Sequence, residues 1–321
     1  MKLHEDKEQF VAAIMATSRA LQIERHFVEK DYWICHCLQQ MVRGDEAHHA
    51  VFKGGTSLTK AYEIGSRFSE DIDVAIADAH LMSGNQLKMA IRRTAHNMTE
   101  GLEEVVKDST SKGSHYHKAY YKYPTVSNVP TSSAVRTGEL LLEINSFANP
   151  YPWEMRRIRS FIAEYLHQSG NEALVEELDM ADFEVPVLDK CRTLTEKLVS
   201  LMRCSLADEY MQQMSAKIRH FYDLHYLLQD EACGAYLESE AFGADFASLL
   251  EHDRKSFSKP QGWQERELSA SPLMTDLHGT WEALQPVYLR ELPELAYREI
   301  PSVEAIEASM RTLLERCGRC G

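Results

Sequence analysis

The stretch VFKGGTSLTKAYEIGSRFSEDIDVAI, residues 51–76, constrains the fold of this chain more than any other. A short apolar run breaks at Gly54-Gly55, helical spacing follows through TSLTKAYEIG, and the alternating run DIDVAIA closes the segment. That order fits a strand, a glycine turn, a short helix and a returning strand. AVFKGG (50–55) is the first strand, with Thr56 expected as the helix N-cap and Gly65 as its stop. On a strand, residues two apart share a face, separated by about 6.5–7 Å. Asp71 and Asp73 therefore project together, while Ile72 and Val74 face the core.

Two carboxylates held side by side repel unless a divalent cation lies between them. Oxygen-only ligation suits Mg²⁺ or Mn²⁺ carried with nucleotide phosphates. Alternatively, the pair is two solvated aspartates on an edge strand. The Gly54-Gly55 turn tilts the balance toward a site, because glycine lets backbone N–H groups approach an anion at a helix N-terminus. Thr56 and Ser57 add hydroxyls there, and Lys60 lies one helical turn further on. Arg67, in RFSED, either binds phosphate or buttresses the acidic pair. Glu143, in LLLEINSF, shares a strand face with Leu141 and Asn145. One strand over from Asp71 and Asp73, it would complete a three-carboxylate metal site. Otherwise it is an exposed residue of an alternating strand.

The rest of the chain divides by pattern. Residues 5–20 and 24–43 have apolar positions at helical spacing, and GNQLKMAIRRTAHNMTEGLEEVV is one long helix. HYHKAYYKYPTV and GELLLEINSF are two strands of a hairpin, joined by a polar loop with Pro130 and Gly138. Beyond about residue 186 every periodic segment is helical. The expectation is an α+β domain at 1–185, a mixed sheet flanked by helices, followed by a helical bundle at 186–321.

In that second part, Lys197 lies beside the apolar stripe Leu194, Leu198, Leu201 and Met202. Asp223 falls within FYDLHYLL, where an unpaired carboxylate is costly. Arg219, four residues earlier, is its expected helical partner. As structural residues these would be an ion pair and a lysine reaching out to solvent. KGSHYHKAYYKYP (112–124) places His115 and His117 on one strand face without a third ligand. With Arg156, Arg157 and Arg159 it forms either a nucleic-acid patch or an aromatic strand beside a solvated helix face.

The net charge of −14, from 49 acidic and 35 basic residues, opposes nonspecific adhesion to long nucleic acids and confines any RNA contact to a local patch. No apolar run is long enough for a membrane span, and the N-terminal segment lacks a signal-peptide pattern. Seven cysteines, an odd count, fit reduced thiols and a cytoplasmic location. Cys35-His36-Cys37 lies in a helical pattern where neighbours diverge by about 100° and cannot share one ion. Cys317 and Cys320 form a C-x-x-C without a second half-site.

GGTSLTK followed by RFSEDIDV resembles the glycine turn and D-x-D of DNA polymerase beta-like nucleotidyltransferases, and more narrowly the AbiEii/AbiGii toxin family of type IV toxin–antitoxin systems. VEKDYWI (28–34), TEKLVSL (195–201) and KIRHFYDLHYLL (217–228) are similar to further motifs of that family. The resemblance covers about residues 28–228. It implies a nucleotidyltransferase core with a C-terminal helical bundle, a nucleoside triphosphate substrate and Mg²⁺. Carried over by position, Gly54, Gly55, Thr56 and Ser57 hold phosphate, and Asp71 and Asp73 bind metal. Lys197 contacts the triphosphate, and Asp223 completes the catalytic set. The acceptor it implies is RNA, with the tRNA 3′ end foremost, and the partner a separate winged-helix antitoxin. A protein or small-molecule acceptor, or a non-catalytic nucleotide-binding module, are the alternatives.

Overall fold

The computed structural model describes residues 1–127, 138–147 and 150–318. The chain forms two compact units, one of Met1–Glu63 and Phe68–Leu188, the other of Ile64–Arg67 and the chain from Asp189 onward.

The first unit is built on a mixed sheet. Its strands are β1 (Ala50–Lys53), β2 (Asp71–Ile76), β3 (Glu103–Val105), β4 (Ser111–Lys112), β5 (Tyr116–Lys122), β6 (Glu139–Asn145), β7 (Trp153–Ile158) and β8 (Phe183–Leu188). They run in the order β3-β5-β6-β2-β1-β8-β7, with β4 pairing β5. β2 lies parallel to β6 and β1 parallel to β8, while the other pairs are antiparallel. β5 and β6 form the expected antiparallel pair, and Pro130 of the loop between them lies outside the described residues.

The helices of this unit are α1 (Lys7–Leu21), α2 (Arg25–Arg43), α3 (Gly54–Ala61), α4 (Gly84–Met98), α5 (Phe161–Gln168) and α6 (Glu172–Glu177). The expected helix across 84–106 is cut short. α4 ends at Met98, Gly101 takes φ +80°, and Glu103–Val105 leaves as an edge strand on β5. A left-handed glycine breaks the helical path, and strand pairing then satisfies the backbone. The arginines near 156 also depart from expectation, since Arg156 and Arg157 lie on strand β7 rather than on a helix face.

α2 is the core helix. Fourteen of its 19 residues are buried, including three consecutive charges, Glu29, Lys30 and Asp31. Each meets a different part of the unit. Glu29 accepts hydrogen bonds from the backbone N–H groups of Val126 (2.6 Å) and Ser127 (3.0 Å). Lys30 Nζ lies 2.7 Å from Glu70 Oε1, with both side chains at most 2% exposed. Asp31 pairs with Lys60 of α3 at 2.6 Å and accepts the N–H of Phe161 at the start of α5. Charges at this depth persist only when paired and hydrogen-bonded.

The second unit is helical: α7 (Lys190–Ser205), α8 (Tyr210–Ser215), α9 (Ile218–Gln229), α10 (Glu231–Glu238), α11 (Glu240–Ser256), α12 (Pro272–Thr275), α13 (Leu277–Leu295) and α14 (Val303–Gly318). Trp263, Trp281, Tyr288, Phe221 and Phe242 fill its interior. Residues 64–67 are bound into this unit by the backbone. The Ser66 N–H donates to the Tyr222 hydroxyl at 2.9 Å, Tyr297 N–H donates to the Ser66 carbonyl, and Arg67 bridges Ala296. Among the described residues no helix is long and apolar enough to cross a membrane.

Lys30→Ala leaves Glu70 charged and buried, and should lower unfolding free energy by ~3–5 kcal/mol. The double change Lys30→Met/Glu70→Leu should recover most of that loss. Urea denaturation measures both, and a single-variant loss below about 1 kcal/mol would show the pair to be dispensable.

Candidate active site

Within the first unit, β2 lies between β1 and β6, and the register aligns charged residues across four strands. Lys53 pairs with Asp73, Asp73 with Glu143, and Glu143 with Lys118 of β5. Directly paired residues share a sheet face. Lys53, Asp73, Glu143 and Lys118 therefore form one row, with Asp71 two residues along β2 on the same face. The opposite face carries Ile72, Val74, Leu142 and Ile144, all at most 1% exposed. This alternation forces both aspartates to one side, because a slip of one residue would bury them.

Gly54 explains the glycine turn. It opens α3 at φ +84°, and a Cβ built there would meet Asp73 Oδ2 at 2.2 Å. Only a residue without a side chain lets the α3 backbone lie against that carboxylate. The helix begins three residues earlier than expected, with Lys53 rather than Thr56 at the N-cap, and ends at Ala61 rather than at Gly65. Thr56 and Ser57 are both buried. The Thr56 hydroxyl donates to the Asp71 carbonyl, and the Ser57 hydroxyl donates to the Gly54 carbonyl at 2.9 Å. The Thr56 hydroxyl thus fastens the turn to β2, and the Ser57 hydroxyl closes the turn on itself. Gly55 follows as the second residue of α3.

Glu143 stands beside Asp73 as expected, yet its carboxylate is engaged by the chain itself. Lys118 Nζ lies 2.6 Å from Glu143 Oε1, with both side chains about one quarter exposed. Burial draws the Lys118 ammonium down, but Glu143 outweighs it and the group is held above its ordinary range. Tyr116, next along the same face of β5, is raised by burial and then by the Glu143 and Asp73 carboxylates. Among the described residues no three His, Cys, Asp or Glu side chains gather as a metal cage. Oxygen donors on Asp71 and Asp73, with the Gly54 backbone at contact distance, fit a hard divalent cation that takes its remaining ligands from phosphate and water.

Within the second unit, Asp223 of α9 is 5% exposed and receives two cations. Arg67 clamps it bidentately, Nε to Oδ1 at 2.7 Å and Nη2 to Oδ2 at 2.6 Å. Lys197 of α7 lies 2.8 Å from Oδ2. Burial works to raise the Asp223 carboxyl, but Arg67 and Lys197 overcome it and hold the group well below the carboxylate range. His220, one turn earlier on α9, is pushed well below its ordinary value by burial and by Lys197 and Lys217, so it stays neutral. The trio of Arg67, Lys197 and Asp223 carries a net charge of +1, a fixed arrangement suited to an anion.

Several expectations need correction. The partner of Asp223 is Arg67, 156 residues upstream, together with Lys197, in place of Arg219. Lys60, expected at phosphate, is 9% exposed, pairs with Asp31 and lies 4.5 Å over the Phe161 ring. Arg67, also expected at phosphate, holds Asp223. His117 faces the core and meets the Tyr121 hydroxyl, whereas His115 meets Ser146, so they form no metal pair. Cys35 and Cys37 are buried, and burial pushes the Cys37 thiol up to about 12. Cys317 is buried, and Cys320 lies outside the described residues. The roles of Lys118, Glu29, Lys30 and Asp31 escaped sequence reasoning, although VEKDYWI marked three of the four positions.

Gly54→Ala forces a strained φ and displaces Asp73, and should cost ~1–3 kcal/mol in urea denaturation. A variant as stable as wild type would refute the close approach. Asp223→Asn leaves Arg67 and Lys197 facing no anion and should cost ~3–5 kcal/mol near neutral pH. The folded carboxyl is depressed, so its contribution is present above the unfolded value near 3.8 and fades as pH falls through the lower folded one. The stability gap between wild type and Asp223→Asn should therefore narrow between about pH 5 and pH 2. A constant gap would exclude the paired carboxylate as its source.

The model of the nucleotidyl transferase AbiEii toxin family, type IV toxin–antitoxin system, matches residues 36–309. A search of curated proteins gives no match. Among solved structures, the chain is similar to MenT4, a nucleotidyltransferase toxin from Mycobacterium tuberculosis H37Rv, at 16% identity and a TM-score of 0.57. That alignment covers 96% of this chain and 89% of MenT4. JHP933 from Helicobacter pylori aligns at 14% identity and a TM-score of 0.32, over 83% of this chain and 94% of that one. The likeness to MenT4 supports the fold, a mixed sheet flanked by helices and followed by C-terminal helices. By the family match, the chain belongs to the AbiEii nucleotidyltransferase toxins of type IV toxin–antitoxin systems.

Proposed function

We propose that this nucleotidyltransferase moves a nucleoside monophosphate from a nucleoside triphosphate to an RNA acceptor, foremost the 3′ end of tRNA, with Mg²⁺ or Mn²⁺ bound at Asp71 and Asp73. One observation carries the reading: Gly54 opens α3 directly against the Asp73 carboxylate, so the phosphate turn and the acidic pair form one object. Bound there, the divalent ion supplies Lewis acidity and neutralises developing phosphate charge.

Gly54 and Gly55 present the start of α3 to the triphosphate, with Thr56 and Ser57 securing the turn from beneath. Asp71 and Asp73 would hold the divalent ion, whose charge would help to orient the α-phosphate toward the acceptor. The acceptor hydroxyl oxygen forms a bond to the α-phosphorus, the bond to the bridging oxygen breaks, and pyrophosphate departs while the hydroxyl proton passes to water. In the second unit Asp223 is a positioning residue that fixes the Arg67 and Lys197 cations, and Lys197 is the residue that the family resemblance assigns to the triphosphate. Glu143, held by Lys118, contributes negative charge beside Asp73, and Lys60 acts structurally through Asp31. Cytoplasmic action and neutralisation by a separate antitoxin of winged-helix type complete the proposal.

A protein hydroxyl or small-molecule acceptor is the second reading, favoured by the net charge of −14. The test incubates the purified chain with each labelled nucleoside triphosphate, Mg²⁺ and total RNA. Label should enter an RNase-sensitive product, and Asp71→Asn and Asp73→Asn should each lower transfer by roughly 10²-fold or more. Label that survives RNase moves the acceptor to protein. Full activity in Asp71→Asn overturns the two-aspartate mechanism.

A further inference from the structure

Two thiols meet in the second unit, at the starts of two helices. Cys191 is the second residue of α7 and Cys233 the third of α10. Their sulfurs lie 3.6 Å apart, within thiol hydrogen-bonding range. Each helix start is fixed by its own aspartate cap. The Cys191 N–H donates to Asp189 at 2.8 Å and the Cys233 N–H donates to Asp230 at 3.1 Å. The Lys190–Asp230 ion pair, at 2.6 Å, ties the same two starts together. Four other cysteines among the described residues, Cys35, Cys37, Cys204 and Cys317, are buried, whereas Cys191 is half-exposed.

We propose that Cys191 and Cys233 are an oxidation site, at which peroxide converts the thiol pair into a disulfide joining α7 to α10. The half-exposed Cys191 attacks first. Its sulfur displaces water from the peroxide and becomes a sulfenic acid. Cys233 then attacks that sulfur, the S–S bond forms and a second water leaves. Two thiols lose two electrons in all, and one peroxide is reduced to two waters. The order follows from access, since Cys233 is fully buried and its sulfur lies against that of the more accessible Cys191. Its thiol is also raised by the hydrogen bond with Cys191 and by burial, which leaves the more accessible Cys191 to react first.

The bond would close a loop spanning 42 positions. Lys197 and Asp223 both fall inside it, so the cross-link braces the segment that carries their ion pair. This inference uses residues with no part in the proposed transfer chemistry and does not depend on it.

The test treats the full chain, in a Cys317→Ser/Cys320→Ser background, with hydrogen peroxide, then counts thiols and maps peptides by mass. Two thiols should disappear together, with a peptide linking Cys191 to Cys233 that dithiothreitol releases. Cys191→Ser and Cys233→Ser should each abolish that peptide. The oxidised chain should melt several degrees higher than the reduced one, since the cross-link restricts the unfolded loop. Persistence of both thiols, or a linkage mapping to Cys35, Cys37 or Cys204, overturns the site. A melting temperature that does not rise overturns the bracing.

Discussion

The first unit depends on charges buried along α2. A core helix that was wholly apolar could pack against the sheet in several rotations and translations with similar energy. Lys30 and Asp31 remove that freedom, because each must meet one particular partner or remain as an isolated charge in the interior. Lys30 reaches Glu70, the residue immediately before β2, and Asp31 reaches Lys60 on α3. The two elements that deliver the acidic pair and the glycine turn are thus fixed to the same helix by adjacent residues. The gain is in placement more than in net stability, since pairing largely offsets the cost of desolvation.

A second arrangement of the same kind orders the helical unit. Asp223 would be an unfavourable residue in α9 without compensation, and Arg67 and Lys197 make it the anchor of a small cationic cluster. A buried carboxylate flanked by two cations locks their side-chain rotamers, since each must meet it or stand as an isolated charge. The sheet face of the first unit works oppositely. There, Lys53 and Lys118 stand at the ends of a row whose centre is acidic, so positive charge borders the carboxylates.

Local pattern carried much of this architecture. The alternation of DIDVAI put Asp71 and Asp73 on one face, and that of LLLEIN placed Glu143 beside them. The paired aromatic and apolar strands, the first two helices and the helical character beyond residue 186 were equally readable. What escaped detection is non-local. Nothing near Arg67 announces an aspartate 156 positions later, and local spacing points instead to the nearer Arg219. Lys60 at one turn from a glycine loop looks like a phosphate ligand until the helix carrying Asp31 is packed against it. The helix extended past Met98 failed because Gly101 and the pairing of β3 with β5 outweigh helical propensity over a few residues. The strand β7 was hidden for the same reason, being an exposed edge whose charged composition reads equally well as a solvated helix.

The excursion of residues 64–67 into the helical unit has a consequence for synthesis. Arg67 leaves the ribosome 156 residues ahead of Asp223, and at about 5–20 residues per second that interval lasts roughly ten to thirty seconds. Throughout it the strand β2 can be made while the cation just upstream has no counterion. A toxin organised this way is not assembled piece by piece as it emerges. Its cationic cluster can form only after Lys197 and Asp223 have followed, long after the strand β2 has been made.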